Sequence, residues 1–548
     1  MAGSVARHSG ELLADVTAEG ERAVGAGTSA DTASQEVAEG PQGAAPASPP
    51  AARETARHTY ATERARRWVS RLLRAHWPFA IVLAIAAVLR GVVTLGYPPA
   101  LYYSDSYSYL TDAVAKAPDI VRSDGYPLFL YLLLPFHSLT LVAALQALMG
   151  LAMGAAIYAV LRRRGLPWWG ATLPALPVLF DVYEMQIEHM VMSDVLFIFL
   201  VTVVLAALCW SDRPPLPLCA VAGLMIGYAG IVRTVGEPLL VVLVAGLLLR
   251  RADWKRAAVL LVAGVLPIAG YMVWYHGFYG QYALDTSGGT FLYSRVSTFA
   301  ECSKMTLPAN LKDLCDPTPP AQRPGSQEYL WAVNTPLYKV SKGNQFSPAA
   351  NSMAGRFAEA AIESEPVAYA TAVVTDIAHT FSWDRIQSDL TGSGPSFQFE
   401  PVVTPVTADK TLWWVTYYPA IKSALRTYAG PGLGQPTVTK PYSSFIRSYQ
   451  KIFYLRGTMV GVILLIGAAG IIARWRRWGG LALLPWAVSV LLIILPPMTA
   501  GFSYRYVLAA VPMACLAAGL AASREPRASR RACEAAQAEA AQAEATAD

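Results

Sequence analysis

The residues best suited to chemistry stand in a short polar string, Tyr103-Ser104-Asp105-Ser106-Tyr107-Ser108-Tyr109, directly after a long apolar run. A carboxylate such as Asp105 can act as a general base toward a hydroxyl held within hydrogen-bond reach. It can equally be a first-turn acid that complements a helix dipole. Two arginines, Arg233 and Arg505, adjoin apolar segments on the side where basic residues are otherwise scarce. Each either binds an anion such as phosphate or snorkels to lipid headgroups. Glu184, Glu188, His189 and Asp194 cluster near one helix junction. Asp194 reads as a site residue or as an N-cap. A divalent metal on Glu188 and His189 is the lesser alternative, because adjacent helical residues do not share a face. No Cys/His spacing reads as zinc.

These residues must be positioned by membrane elements. The chain of 548 residues is 54% hydrophobic and 15% charged, with mean hydropathy +0.35. A soluble protein would carry about 25% charge. The apolar residues come in blocks, which predicts an all-α polytopic membrane protein. The net charge of +6 does not point to nucleic acid, since it gathers in short loops. Ten crossings are expected, near 79–96, 139–160, 171–183, 191–209, 216–233, 237–250, 257–275, 457–473, 480–496 and 505–522. Segments 171–183 and 237–250 are short for a crossing of ~20 residues. Arg64 to Arg74, Arg162-Arg163-Arg164, Arg250-Arg251, Arg474-Arg476-Arg477 and Arg524-Arg527 then fall on one side, read as cytoplasmic. Loops 97–138, 184–190, 234–236, 276–456 and 497–504 fall outside.

The expected organisation is a disordered cytoplasmic tail (1–75), a transmembrane core (76–275), an extracytoplasmic loop domain (276–456), C-terminal transmembrane helices (457–522) and a low-complexity tail (523–548). Within loop 97–138, residues 105–116 read as a short surface helix with Ser104 as N-cap. Gly125-Tyr126-Pro127 reads as a turn, and 128–136 as an interfacial helix. In the large loop, 354–378 has helical patterning interrupted at Pro366, and no alternating run demands a β-domain. Cys302 and Cys315 share that loop, where a disulfide is permitted; two free thiols are the alternative. The loop tryptophans Trp331, Trp383, Trp413 and Trp414 read as packing residues or as sugar platforms, and the loop 97–138 tyrosines as interfacial anchors.

In order along the chain, four motifs resemble the GT-C superfamily of membrane glycosyltransferases, in particular the protein O-mannosyltransferase-like, lipid-carrier-dependent branch. They are Asp105 with Tyr109, Ser193-Asp194 with the apolar run after it, Ile231-Val232-Arg233, and Arg505-Tyr506. Ser106 stands where that branch has Glu. The resemblance covers roughly 79–275 and 457–522. It implies a GT-C-like bundle of about ten helices and an inverting transfer of a monosaccharide. The donor would be a polyprenyl-phosphate sugar and the acceptor an extracytoplasmic hydroxyl of a protein, glycan or lipid. It implies Asp105 as base, Arg233 and Arg505 on the donor phosphate, and Tyr109, Glu188 and Asp194 as further substrate-binding residues. No cofactor is required for this reaction. The Ala/Arg-rich composition fits a bacterial cytoplasmic membrane with the site facing outward. The competing readings are a transporter or flippase of lipid-linked sugar, and a non-catalytic subunit of an envelope-assembly complex.

Overall fold

The computed structural model describes residues 76–250, 253–384, 397–403, 418–432, 434–475 and 480–523. Both expected tails, Arg476, Arg477, Arg524, Arg527, Trp413 and Trp414 lie outside these residues. The described secondary structure is helical, and an isolated bridge joins Leu101 to Met190.

Among the described residues, five helices are long and apolar enough to cross a membrane: His76–Gly96, Leu139–Arg163, Trp254–Tyr279, Gly480–Thr499 and Tyr504–Ala522. Five shorter apolar helices, Trp168–Phe180, Ser193–Cys209, Leu216–Val232, Thr234–Leu249 and Gly457–Ala473, account for the other expected crossings. The chain is thus a polytopic all-α membrane protein. Trp168–Phe180 is short for a local reason. Pro174 and Pro177 lack amide donors, and a 3-10 turn, Leu173–Ala175, splits the segment.

Small residues allow the closest helix pair. Leu216–Val232 lies along Trp254–Tyr279, and a Cβ on Gly227 would sit 2.0 Å from the Gly264 carbonyl oxygen. Such backbone approach is the usual way helices pack where lipid removes the hydrophobic drive between them.

Two local expectations are corrected. Residues 184–190 are not an open loop: Val182–His189 is a buried helix, capped by Asp181, whose Oδ1 accepts from the Tyr183 N–H at 3.2 Å. The surface helix is Ser104–Ala115 with Tyr103, not Ser104, at the N-cap. Ser106 Oγ accepts the Tyr103 N–H at 2.9 Å, so the residue standing in place of an acid closes the helix start.

The 276–456 insert has a small core of its own, in which Tyr293, Val296, Leu314, Ala354, Phe357 and Ala361 pack together. Cys302 and Cys315 form a disulfide beside that core. In the stretch expected to be helical, 354–378, Phe357 and Ala361 are buried, and Pro366 begins a new helix, Pro366–His379, after Pro348–Ser364.

Candidate active site

At one end of the bundle a cavity of about 1120 Å³ is lined by Asp105, Tyr109, Arg122, Asp194, Arg233 and Arg505, among others. Four contacts explain why segments so far apart in sequence meet there. Leu101 N–H donates to the His189 carbonyl at 2.9 Å, and Val191 N–H donates to the Leu101 carbonyl at 3.1 Å. The strand-like stretch before Asp105 is therefore tied to the stretch before Asp194. The Gly125-Tyr126-Pro127 turn begins the helix Gly125–Leu133, and a Cβ on Gly125 would meet the Ile231 carbonyl oxygen at 2.4 Å. Only glycine lets this turn press against the end of Leu216–Val232, which delivers Arg122 and Arg233 to the same space. Tyr228 OH closes the contact by donating to the Gly125 carbonyl at 2.7 Å.

Asp105 is 4% exposed and each of its oxygens meets a different arginine. Arg122 Nη2 lies 2.8 Å from Oδ1, and Arg505 Nη1 lies 2.7 Å from Oδ2. Burial alone would push this carboxyl up; the guanidinium groups of Arg122 and Arg505 outweigh it and hold it at about 2. Asp112 and Asp119, on the same cavity wall, go the other way. Burial pushes both up, and the neighbouring carboxylates add to it at Asp112. The site thus shifts these three carboxyls in opposite directions, Asp105 down and Asp112 and Asp119 up.

Aromatic faces steady the arginines. Arg505 lies 5.3 Å from the Tyr103 ring centroid and 5.1 Å from that of Tyr506. Arg122 lies 5.3 Å from Trp331, and Arg233 lies 5.3 Å from Tyr506. Asp194, in the first turn of Ser193–Cys209, pairs with Arg233. Asp194 thus stands in an ion pair rather than at the N-cap, which Met192 occupies. Tyr109 OH is 2.9 Å from Ser193 Oγ, so Tyr109 braces the helix start that carries Asp194.

Glu188 is the sequence candidate that the fold takes elsewhere. It is not among the cavity-lining residues. Both of its oxygens are held by one guanidinium, Arg90 Nε at 2.6 Å and Nη2 at 2.7 Å. His189 Nε2 donates instead to the Tyr97 carbonyl at 2.8 Å. Glu188 and His189 therefore serve different partners, as their adjacency on one helix requires. Among the described residues, no group of three or more His, Cys, Asp or Glu could hold a metal ion.

Sequence reasoning missed the pairing of Arg122 with Asp105. It read Trp331 only as one of several loop tryptophans. Arg122 was findable, since it lies between an acid-bearing loop helix and the Gly125 turn. Trp331 was not, because nothing local marks a loop tryptophan as a cavity wall.

No protein-family model matches this chain, and no curated protein matches it. Two solved structures are similar to parts of it. One is the S. cerevisiae protein O-mannosyltransferase Pmt1-Pmt2 complex bound to the sugar donor. It is 16% identical with a TM-score of 0.30, over 41% of this chain and 36% of that one. The other is the archaeal oligosaccharyltransferase AglB from Archaeoglobus fulgidus, in complex with an inhibitory peptide and a dolichol-phosphate. It is 12% identical with a TM-score of 0.35, over 82% of this chain and 50% of that one. The matches thus span half of those chains or less.

Proposed function

We propose that this protein is a membrane glycosyltransferase of the GT-C kind, moving a monosaccharide from a polyprenyl-phosphate donor to an acceptor hydroxyl with inversion. The observation that carries this reading is the convergence of one ionised carboxylate and three arginines on one cavity at the ends of membrane spans. Sugar transfer from a lipid phosphate needs these parts together: a base for the hydroxyl, cations for the leaving phosphate, and a position beside the bilayer.

In this reading the acceptor oxygen loses its proton to an Asp105 carboxylate oxygen and bonds to the anomeric carbon. The bond from that carbon to the phosphate oxygen breaks, and its electron pair leaves with polyprenyl phosphate. The two-arginine clamp makes Asp105 a weak base while the site is empty. A bound phosphate competes for Arg505 and Arg122. As either guanidinium turns toward it, Asp105 loses a counter-charge and gains basicity. Proton removal is then coupled to the presence of donor. Arg233, already paired with Asp194, supplies charge from the opposite wall. The extracytoplasmic orientation, the bacterial inner membrane and a role of Tyr109 beside the sugar belong to the same proposal.

The test is release of polyprenyl phosphate by purified protein in nanodiscs, against a panel of polyprenyl-phosphate sugars, each offered with peptide, glycan and lipid hydroxyl acceptors. At least one sugar should support release that Asp105→Asn abolishes. Movement of intact lipid-linked sugar across a proteoliposome membrane, with no release, would replace the transferase with a transporter.

A further inference from the structure

Two consecutive helices of the insert leave opposite kinds of surface open. In Pro348–Ser364 the exposed positions include Ser352, Arg356, Glu359 and Glu363, an ordinary solvated face. In Pro366–His379 they are Pro366, Val367, Ala370, Thr371, Val374, Thr375 and Ala378. These positions recur at helical spacing and form one stripe. Val367 is 77% exposed and Val374 63%. The one carboxylate of this helix, Asp376, turns inward and pairs with Arg295 at 2.9 Å. The open stripe therefore carries no charge.

The position of this helix names what covers the stripe. Tyr369 OH donates at 2.8 Å to the carbonyl of Met498, in the last turn of Gly480–Thr499. Just beyond its other end, the Thr380 and Ser382 carbonyl oxygens would lie 2.2 and 2.5 Å from a Cβ on Gly457, the first residue of Gly457–Ala473. Phe381 reaches one turn further, to 3.3 Å from a Cβ on Gly461. One of these two spans ends where the other begins, so Met498 and Gly457 mark the same end of the bundle. The helix bridges the two ends, beside lipid-facing side chains of the spans themselves: Met459, Val462 and Met498 are exposed. Next to it the Arg456 guanidinium lies 4.4 Å from the Trp383 ring and 4.6 Å from that of Tyr454. Trp and Tyr beside a basic residue are typical of the membrane–water interface.

We infer that Pro366–His379 is an in-plane membrane anchor, with its Val367–Val374 stripe seated in the boundary between headgroups and acyl chains. The occupant is the lipid bilayer, continuous with the lipid already around the spans. Most in-plane helices present a basic face to water; this one turns its polar face into the protein, so apolar area does the work. The anchor sets the level of the insert above the membrane. It rests on membrane insertion of the spans and not on the proposed chemistry.

The test uses full-length protein in phosphatidylcholine nanodiscs, in a Cys533→Ser background. Single changes Val367→Cys, Val374→Cys, Glu359→Cys and Glu363→Cys each carry a nitroxide. All four sites are exposed, so labelling leaves the core intact, and binding of a common affinity probe to the folded insert is not required. Collisions with oxygen relative to a water-soluble nickel chelate should be several-fold higher at 367 and 374 than at 359 and 363. Equal chelate access at all four sites would overturn the anchor. So would shielding of 367 and 374 from both reagents, which would instead indicate a protein partner on the stripe.

Discussion

Two buried arginine–carboxylate sites lie close together in this fold, and they differ in how the charges are shared. At Glu188 one guanidinium takes both oxygens, and its remaining N–H groups donate to the carbonyls of Ala86 and Leu179 at 3.2 and 2.9 Å. Gly150 closes over the pair: a Cβ there would lie 1.8 Å from Glu188 Oε1. At Asp105 the two oxygens belong to two arginines on separate elements, and all three side chains face the cavity. The closed, fork-to-fork pair has no room to exchange partners and ties helices together. The divided pair can release one arm to an incoming anion while the other still holds. An arginine–carboxylate contact is thus sealed between helices in one place and open to a cavity in the other, depending on access and on the number of partners.

The largest expected effect tests the chemical half of this contrast. Asp105→Asn keeps the shape and removes the proton acceptor. Turnover should fall by ~10²–10⁴, with donor affinity retained through the apolar tail and the arginines. Turnover within about threefold of the parent, far short of that loss, would remove Asp105 as base.

The structural half is tested next. Glu188→Gln leaves the Arg90 charge buried without its counter-ion, which typically costs ~3–5 kcal/mol. Thermal unfolding in detergent should show that loss, while donor affinity of the folded fraction stays at the parent value. Replacing both members, Arg90→Met with Glu188→Leu, should recover much of the stability. A specific loss of donor binding in the folded single variant would return Glu188 to the site.

Arg505→Ala should weaken donor binding rather than the chemical step. A charge-assisted contact of ~1.5–3 kcal/mol corresponds to about 10–150-fold in affinity. Isothermal titration with a polyprenyl phosphate measures it. Unchanged affinity would shift the phosphate to Arg122 or Arg233.

The smallest effect is in acid. The Asp105 carboxyl is held at about 2 in the folded protein, below its ordinary value of 3.8. Its contribution to stability is therefore complete above about pH 4 and fades as the pH falls toward 2. The gap in unfolding temperature between the parent and Asp105→Asn should close over that window. A gap that persisted at pH 2 would show that the variant loses packing rather than charge.

The insert repeats the lesson at larger scale. Helical patterning over 354–378 and its break at Pro366 were legible, because local propensity and a missing amide decide them. That the second helix leaves Val367 and Val374 open, while the first leaves Arg356 and Glu359 open, depends on what each packs against.

What the sequence alone determined was local: apolar blocks long enough to span, the helix starts and breaks, and the types of residue held near the ends of the spans. Asp105, Arg233 and Arg505 were singled out this way, and so was the Cys302–Cys315 pair, because two cysteines thirteen residues apart in one loop stay near each other. Pairing was decided only by tertiary structure. Asp105 meets Arg122 across 17 positions and Arg505 across 400; Arg90 meets Glu188 across 98. No spacing rule reaches over such distances. Which carboxylate faced a cavity and which was sealed behind Gly150 followed from how the helices packed, since burial and access belong to the assembled fold and not to any one segment.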